Sequence, residues 1–200
     1  MTSAPYRQIR ALFDDDTIAV YQAYAPEIAL PALAAGTFVA PFGFSRMTWI
    51  KPSFLWMAYR SGWATKPGQT HVLRIHLKRS GFEWALANST LSHYDPAYHS
   101  SEEAWHETLA ASPVRIQWDP EQTLTLTPQP KVRSLQLGLS GPAVTHYVDD
   151  WITRIEDATP EMHHIHTLAK SDPATAQAAL PQELPYPLTP ALAAHLGASD

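Results

Sequence analysis

Two-residue alternation of apolar side chains in the segment His71–Lys78 is the clearest structural signal in the chain. Leu73, Ile75 and Leu77 occupy every second position, so they lie on one face of a strand, and the other face carries Arg74, His76 and Lys78. Further strands are predicted at residues 18–24, 47–50, 114–119 and 134–139, and helices at residues 27–35, 54–60 and 102–110. This order predicts an α+β single domain with a mainly antiparallel or split sheet flanked by helices, rather than a doubly wound parallel sheet.

The last third of the chain changes in character. Apolar residues recur at helical spacing between residues 143 and about 157, which predicts a long helix whose apolar stripe faces the core. From residue 171 the composition shifts to alanine, proline and leucine, and five of the 18 prolines fall between Pro173 and Pro190. We therefore predict one globular domain over residues 1–170 and a Pro/Ala-rich C-terminal tail over residues 171–200 that is extended or partly mobile.

Composition restricts the possible functions. The chain has no cysteine, which excludes disulfides, thiolate metal sites and cysteine nucleophiles. No segment reaches the roughly 20 apolar residues of a membrane span, and the first residues lack the apolar core of a signal peptide, so we expect a cytoplasmic protein without a membrane partner. A net charge of −5 argues against a large duplex-binding face. A nucleotide or the end of a nucleic acid stays a possible partner, because nine of the 14 lysines and arginines lie in the first eighty residues.

A basic and aromatic stretch at residues 46–63 is the strongest candidate for a site. A strand, a turn carrying Lys51 and a helix starting at Ser53 would place free backbone N–H groups and the positive end of a helix dipole beside Arg46 and Lys51. Tryptophans in this stretch could stack on a base or a nicotinamide ring, and arginines could bind phosphates in a bidentate manner. The predicted ligand-binding residues are Arg46, Thr48, Trp49, Lys51, Ser53 and Arg60. Alternatively, Trp49, Trp56 and Trp63 are core aromatics and the cations are solvated.

Polar residues inside strand-like segments form a second group of candidates. Tyr21, Gln22, Gln117 and Gln136 need hydrogen-bond partners if they are buried, and either a ligand or neighbouring protein groups can supply them. The histidines at 163, 164 and 166 suggest a metal, but a solvated helix surface explains them better and no metal is expected. The GxSxG, P-loop, GxGxxG and HExxH patterns are absent, which removes the commonest hydrolase, nucleoside triphosphatase, Rossmann and metalloprotease interpretations.

Several strings in the sequence resemble the family named domain of unknown function 4291. They are RQIRALFDDDTIAVYQAY, SRMTWIKPSFLWMAYRSGWATKPGQ, FEWAL, SPVRIQWDPE, SLQLGLSG and WITRIEDAT. The resemblance covers about residues 6–168 and leaves the tail outside. It implies a relationship at the level of the fold and not an activity.

The order of elements in the first 60 residues is also similar to the front half of ADP-ribosyltransferase-type folds. These folds bind NAD in a cleft between two small sheets and use polar side chains on three strands. The resemblance implies NAD as a possible cofactor and Tyr21, Gln22 and Gln117 as candidate catalytic residues. Gln22 stands where that pattern has a basic or histidine residue on the first strand. Gln117 stands where it commonly has a glutamate on a later strand.

Two hypotheses of function follow. In the first, a basic and aromatic cleft binds an NAD-like nucleotide or an RNA end, with an ADP-ribosyltransferase-like reaction as one form of it. In the second, the same surface belongs to a non-catalytic module that binds a nucleotide, RNA or a protein. A carboxylate facing the cleft, such as Glu83, Asp95 or Glu121, would favour the first hypothesis. A large separation of Arg46 and Lys51 would favour a purely structural role for the stretch.

Overall fold

A computed structural model of the chain describes residues 5–199; residues 1–4 and 200, which belong to the predicted domain and tail, lie outside this range. Within it the strands are β1 (Arg10–Ala11), β2 (Thr17–Tyr24), β3 (Thr48–Ile50), β4 (His71–Lys78), β5 (Ser89–Leu91), β6 (Val114–Gln122), β7 (Pro128–Leu139), β8 (Ile152–Asp157) and β9 (Leu184–Pro185). The helices are α1 (Pro26–Ala35), α2 (Phe54–Ser61), α3 (Arg79–Ala87), α4 (Glu102–Ala111), α5 (Pro142–His146), α6 (Thr159–Ser171), α7 (Pro173–Ala179) and α8 (Pro190–Leu196). None of these helices has the length and apolar character needed to cross a bilayer.

The strands form a split sheet. One part is a three-stranded antiparallel sheet in the order β2-β4-β8, and the other is a four-stranded sheet in the order β3-β7-β6-β5, in which only β5 and β6 run parallel. Strands β1 and β9 form a separate antiparallel pair. The predicted α+β domain with a split, mainly antiparallel sheet flanked by helices is confirmed.

Strand β4 lies at the centre of the three-stranded sheet. Leu73, Ile75 and Leu77 are all fully buried and belong to the main core, as their alternation predicts. The opposite face of this sheet contributes Val72 to a second core cluster, which includes Phe54 of α2 and residues of α6. Full burial of each such aliphatic side chain contributes about 1.5–3 kcal/mol.

The two sheets are joined by one antiparallel bridge. The backbone N–H of Tyr21 donates to the carbonyl of Lys51 at 2.7 Å, and the N–H of Lys51 donates back to the carbonyl of Tyr21 at 3.3 Å. Because Tyr21 belongs to β2 and Lys51 directly follows β3, this bridge holds the edges of the two sheets against each other. The carboxyl end of β2 and all of β3 therefore lie side by side at the junction.

Helix α2 leads away from this junction and has well-defined ends. The Ser53 hydroxyl accepts a hydrogen bond from the N–H of Trp56 at 3.1 Å, which confirms its predicted role as N-cap. Gly62 ends the helix in the left-handed conformation with φ of 60°. Trp56 and Arg60, four residues apart, lie on the same side of the helix.

The prediction of one long helix over residues 143–157 is wrong. The chain forms only the short helix α5, a π-helical turn over Tyr147–Trp151 and then strand β8, in which Ile155 pairs with Ile75. β-Branched residues at 152, 153 and 155 favour a strand, and pairing with the edge of β4 supplies backbone hydrogen bonds that local periodicity does not reveal.

The C-terminal segment differs from the predicted extended tail. It contains α7 and α8, whose first residues are Pro173 and Pro190, and proline at the first helical position is preorganised for a helix. Tyr186 and Leu196 are buried in the main core, and the indole N–H of Trp118 donates to the carbonyl of Leu196 at 2.9 Å. The segment packs against the domain by way of these contacts.

We predict that Leu196→Ala lowers the free energy of unfolding by about 2–4 kcal/mol, because it leaves a cavity at a fully buried position. Leu184→Ala, in the same segment but 49% exposed, is the matched control and should change it by less than about 0.5 kcal/mol. Urea denaturation measures both values. Equal, small effects would show that the C-terminal segment does not contribute to the core.

Candidate functional site

A cleft of about 620 Å³ opens where the end of β2 meets β3. Its walls come from these strands, the loop before β3, helix α2, the turn at residues 67–69 and two glutamines of the four-stranded sheet. Seven of the nine residues proposed from the sequence line it, namely Gln22, Arg46, Thr48, Trp49, Lys51, Arg60 and Gln117. The basic and aromatic stretch therefore forms one wall of a cavity whose size is typical of small-molecule sites.

The cleft carries positive charge without a matching negative charge. Arg46, Lys51 and Arg60 line it, whereas no aspartate or glutamate is among its lining residues in the described part of the chain. These three cations form no ion pair within residues 5–199, although Arg74 pairs with Glu161 and Lys78 with Asp150 elsewhere. In a chain with a net charge of −5, this is a local excess of positive charge that favours an anionic ligand.

Lys51 is the most unusual of these cations because it is buried. Only 5% of the residue is exposed, and its Nζ lies 4.8 Å from the centre of the Trp56 ring, in a cation–π contact. Burial, together with repulsion from Arg60 and against a smaller opposing effect of Asp119, lowers the pKa of Lys51 to about 7. Within residues 5–199 its ammonium group has no hydrogen-bond partner.

The floor of the cleft is a row of polar side chains on the four-stranded sheet. Gln117 of β6 lies opposite Gln136 of β7, and the Gln136 amide donates to both Gln117 Oε1 and Asp119 Oδ2. Burial raises the pKa of Asp119, and the nearby Lys51 ammonium counteracts part of that rise. Asp119 lies two residues after Gln117 on the same strand face, a relation that simple alternation in β6 would have revealed.

Aromatic rings form the remaining walls. The Trp49 indole lies directly over Gly138, where an added Cβ would come within 2.9 Å of the ring, so the close approach requires glycine. Trp49 and Trp56 line the cleft together with Tyr24. Trp63 does not, because it belongs to the second core cluster and stacks on His166 with ring centres 5.0 Å apart.

Gln22 is held by a hydrogen-bond network at the base of the cleft. Its amide nitrogen lies within 3.1 Å of the Tyr24 hydroxyl, the Thr48 hydroxyl and the Trp49 carbonyl. Its carbonyl oxygen accepts from the Tyr147 hydroxyl at 2.7 Å. Protein groups therefore satisfy this buried glutamine, and the network fixes Thr48 and Tyr24 at the surface of the cleft.

Tyr21 and Ser53 lie outside the cleft. Tyr21 points to the opposite face of β2, where it is fully buried against Phe54 and accepts a hydrogen bond from Arg74 Nε at 3.2 Å. Burial raises its pKa above the ordinary tyrosine value. Ser53 faces a second cavity of about 560 Å³ and donates to Glu121 Oε1.

The N-terminus of α2 is not the open anion site that the sequence suggested. The backbone N–H of Phe54 donates to Glu183 Oε1 at 2.6 Å, and the backbone N–H of Trp56 donates to the Ser53 hydroxyl. Burial raises the pKa of Glu183 to about 8, against the opposing effect of this hydrogen bond. Glu183 comes from the segment predicted to be a tail, and no local pattern indicates this contact. Side chains, rather than the helix terminus, form the basic part of the cleft.

The three carboxylates named as indicators of catalysis have other partners. Glu83 accepts from the Tyr186 hydroxyl, Asp95 pairs with Arg7, and Glu121 accepts from Ser53. Asp119, which is not one of these three, is the carboxylate within residues 5–199 that accepts a hydrogen bond from a lining residue of the cleft, Gln136. No three His, Cys, Asp or Glu side chains within residues 5–199 are grouped so that they could hold a metal ion.

The family comparison agrees with the strings that first suggested a relationship. The family described as domain of unknown function (DUF4291) matches residues 8–186, and the chain belongs to this family. The match extends beyond residue 168, so the expected limit of the resemblance was too short; it includes α7, β9 and Glu183. No curated protein matches the sequence.

Replacing Lys51 by methionine should raise the free energy of unfolding by about 1–3 kcal/mol, because the variant no longer buries an unpaired ammonium group. The stability difference between Lys51→Met and the wild type should shrink as the pH rises from about 7 to 10.5. In that window the unfolded wild-type chain binds more protons at Lys51 than the folded one, so wild-type stability increases with pH. Urea denaturation at several pH values measures the difference.

Lys131→Met is the control, because Lys131 is exposed on β7. It should leave stability almost unchanged at every pH. A loss of stability in Lys51→Met would mean that the ammonium group is compensated within the protein.

Proposed function

We propose that the cleft binds a nucleotide of the NAD type, with phosphates held by Arg46, Lys51 and Arg60. The observation that carries this proposal is a group of three cations, one of them buried, that line one cleft and have neither an ion-pair partner nor a lining carboxylate among residues 5–199. A buried ammonium group is costly unless a counter-charge accompanies it, and a phosphate supplies both the charge and hydrogen-bond acceptors.

Aromatic and amide groups in the same cleft favour a nucleotide over a simple anion. Trp49, Trp56 and Tyr24 offer ring faces or edges beside the cations, and base–aromatic stacking contributes about 1–3 kcal/mol per base. Gln69 and Gln117 offer amides that can bind ribose hydroxyls or a carboxamide. The cations occupy a single cleft, which suits a small ligand better than the extended backbone of a duplex.

A thermal-shift measurement with NAD, ADP-ribose, ATP, GTP and a short RNA tests the proposal. A ligand at 100 times its Kd stabilises the folded state by about 2.7 kcal/mol, or about 5–10 °C for a chain of this size. We expect NAD or ADP-ribose to give such a shift. In Lys51→Met the affinity should fall by tenfold or more, since a charge-assisted hydrogen bond contributes about 1.5–3 kcal/mol. Lys131→Met should bind like the wild type.

The pH dependence gives a second readout of the same interaction. The anion binds the protonated form of Lys51, so affinity should decrease as the pH rises above about 7 and the free amine loses its proton. A shift with RNA alone would favour the binding-module hypothesis. No shift with any of these compounds would overturn the proposal.

Asp119 favours a transferase as the second candidate. It lies beside Gln117, where ADP-ribosyltransferase-type folds commonly have a glutamate, and Gln136 links it to the cleft. A carboxylate there could stabilise positive charge that develops on the ribose. Nicotinamide release from NAD, followed in the same samples, tests this candidate: release by the wild type that is lost in Asp119→Asn supports it, and no release contradicts it.

A further inference from the structure

The amine of Lys51 has the surroundings of a nucleophile. Its Nζ rests over the face of Trp56, only 5% of the residue is exposed, and no hydrogen bond within residues 5–199 holds the amine. The residue nevertheless lines the cleft, so a ligand in the cleft can reach it. Desolvation next to another cation is one of the ways in which proteins activate lysine for attack on carbonyl carbon.

The other chain elements around Lys51 support the same conclusion. Arg60 of α2 repels a proton on Nζ. Arg60 and Arg46, which precedes β3, both line the cleft and attract a ligand phosphate. From the four-stranded sheet, the acidic group near it is Asp119, which is held by Gln136. Burial and Arg60 together lower the pKa of Lys51 to about 7, so about half of the amine is neutral at neutral pH. An exposed lysine is almost fully protonated there.

We propose that Lys51 forms an imine with the aldehyde of an anionic sugar, such as the open-chain end of a ribose phosphate or of ADP-ribose. This inference rests on the proposed function, because Arg46 and Arg60, two of the same three cations, hold the phosphate while Lys51 reacts. The Nζ lone pair attacks the carbonyl carbon, and the carbonyl oxygen leaves as water with the two hydrogens of the amine. A C=N bond replaces the C=O bond, and no oxidant or reductant is consumed.

Reductive trapping with ribose 5-phosphate and cyanoborohydride, followed by peptide mass mapping, tests the proposal. The chain contains five lysines, so Lys66, Lys78, Lys131 and Lys170 are internal controls for the reactivity of exposed amines. At pH 7 we expect modification of Lys51 to exceed that of each of the others by about tenfold or more, because a much larger fraction of it is neutral. Ribose without phosphate should modify Lys51 less than ribose 5-phosphate does.

The pH profile and a variant sharpen the test. Modification of Lys51 should level off above about pH 7, whereas that of exposed lysines continues to rise toward their ordinary pKa of about 10.4. Lys51→Met should lose the preferred site and leave the other four lysines unchanged. Equal modification of all five lysines, or equal trapping of ribose and ribose 5-phosphate, would overturn the inference.

Failure of this inference is distinguishable from failure of the proposed function. NAD lacks a free aldehyde, so its thermal shift reports binding alone. A shift with NAD but no preferred trapping would reject the imine and leave nucleotide binding intact. Preferred trapping without a shift for any nucleotide would reject nucleotide binding and leave a reactive amine that binds a smaller sugar phosphate.

Discussion

The backbone bridge between Tyr21 and Lys51 is the contact on which the arrangement of the cleft depends. It fixes the edge of the three-stranded sheet against the edge of the four-stranded sheet, and it does so at the residue whose side chain enters the cleft. Alternation along β2 then directs Tyr21 into the second core cluster and Gln22 toward the cleft. The buried position of Lys51 follows from the way the two sheets are joined.

Burying this lysine has an energetic consequence for the whole domain. The main core and the second cluster surround the junction, so the ammonium group loses most of its hydration, while the Trp56 ring returns only part of that energy. A position that lowers stability in the free protein is one that ligand binding can stabilise, because a phosphate would provide the missing counter-charge. Stability and function are therefore expected to oppose each other at Lys51.

Local signals predicted the parts of the site that are close together in sequence. The strand at β3, the Ser53 cap and the cations at 46, 51 and 60 follow from residue type and spacing alone. Contacts between distant segments could not be predicted in this way: β8 forms because β4 offers an edge, and Glu183 reaches α2 from 129 residues further along the chain. Gln22 illustrates the same limit, since its polar partner Tyr147 comes from the segment that was predicted to be a regular helix. Asp119 could have been predicted from the sequence, because strand alternation places it on the same face as Gln117.

The most direct test of this account is an NMR titration of the Lys51 ε-ammonium group in the free protein and with ADP-ribose. We predict that Lys51 titrates near pH 7 in the free protein and that bound ADP-ribose moves this midpoint upward, because the phosphates stabilise the charged form. Titration of free Lys51 at the ordinary lysine value of about 10.4 would show that its charge is already compensated, and would contradict the account.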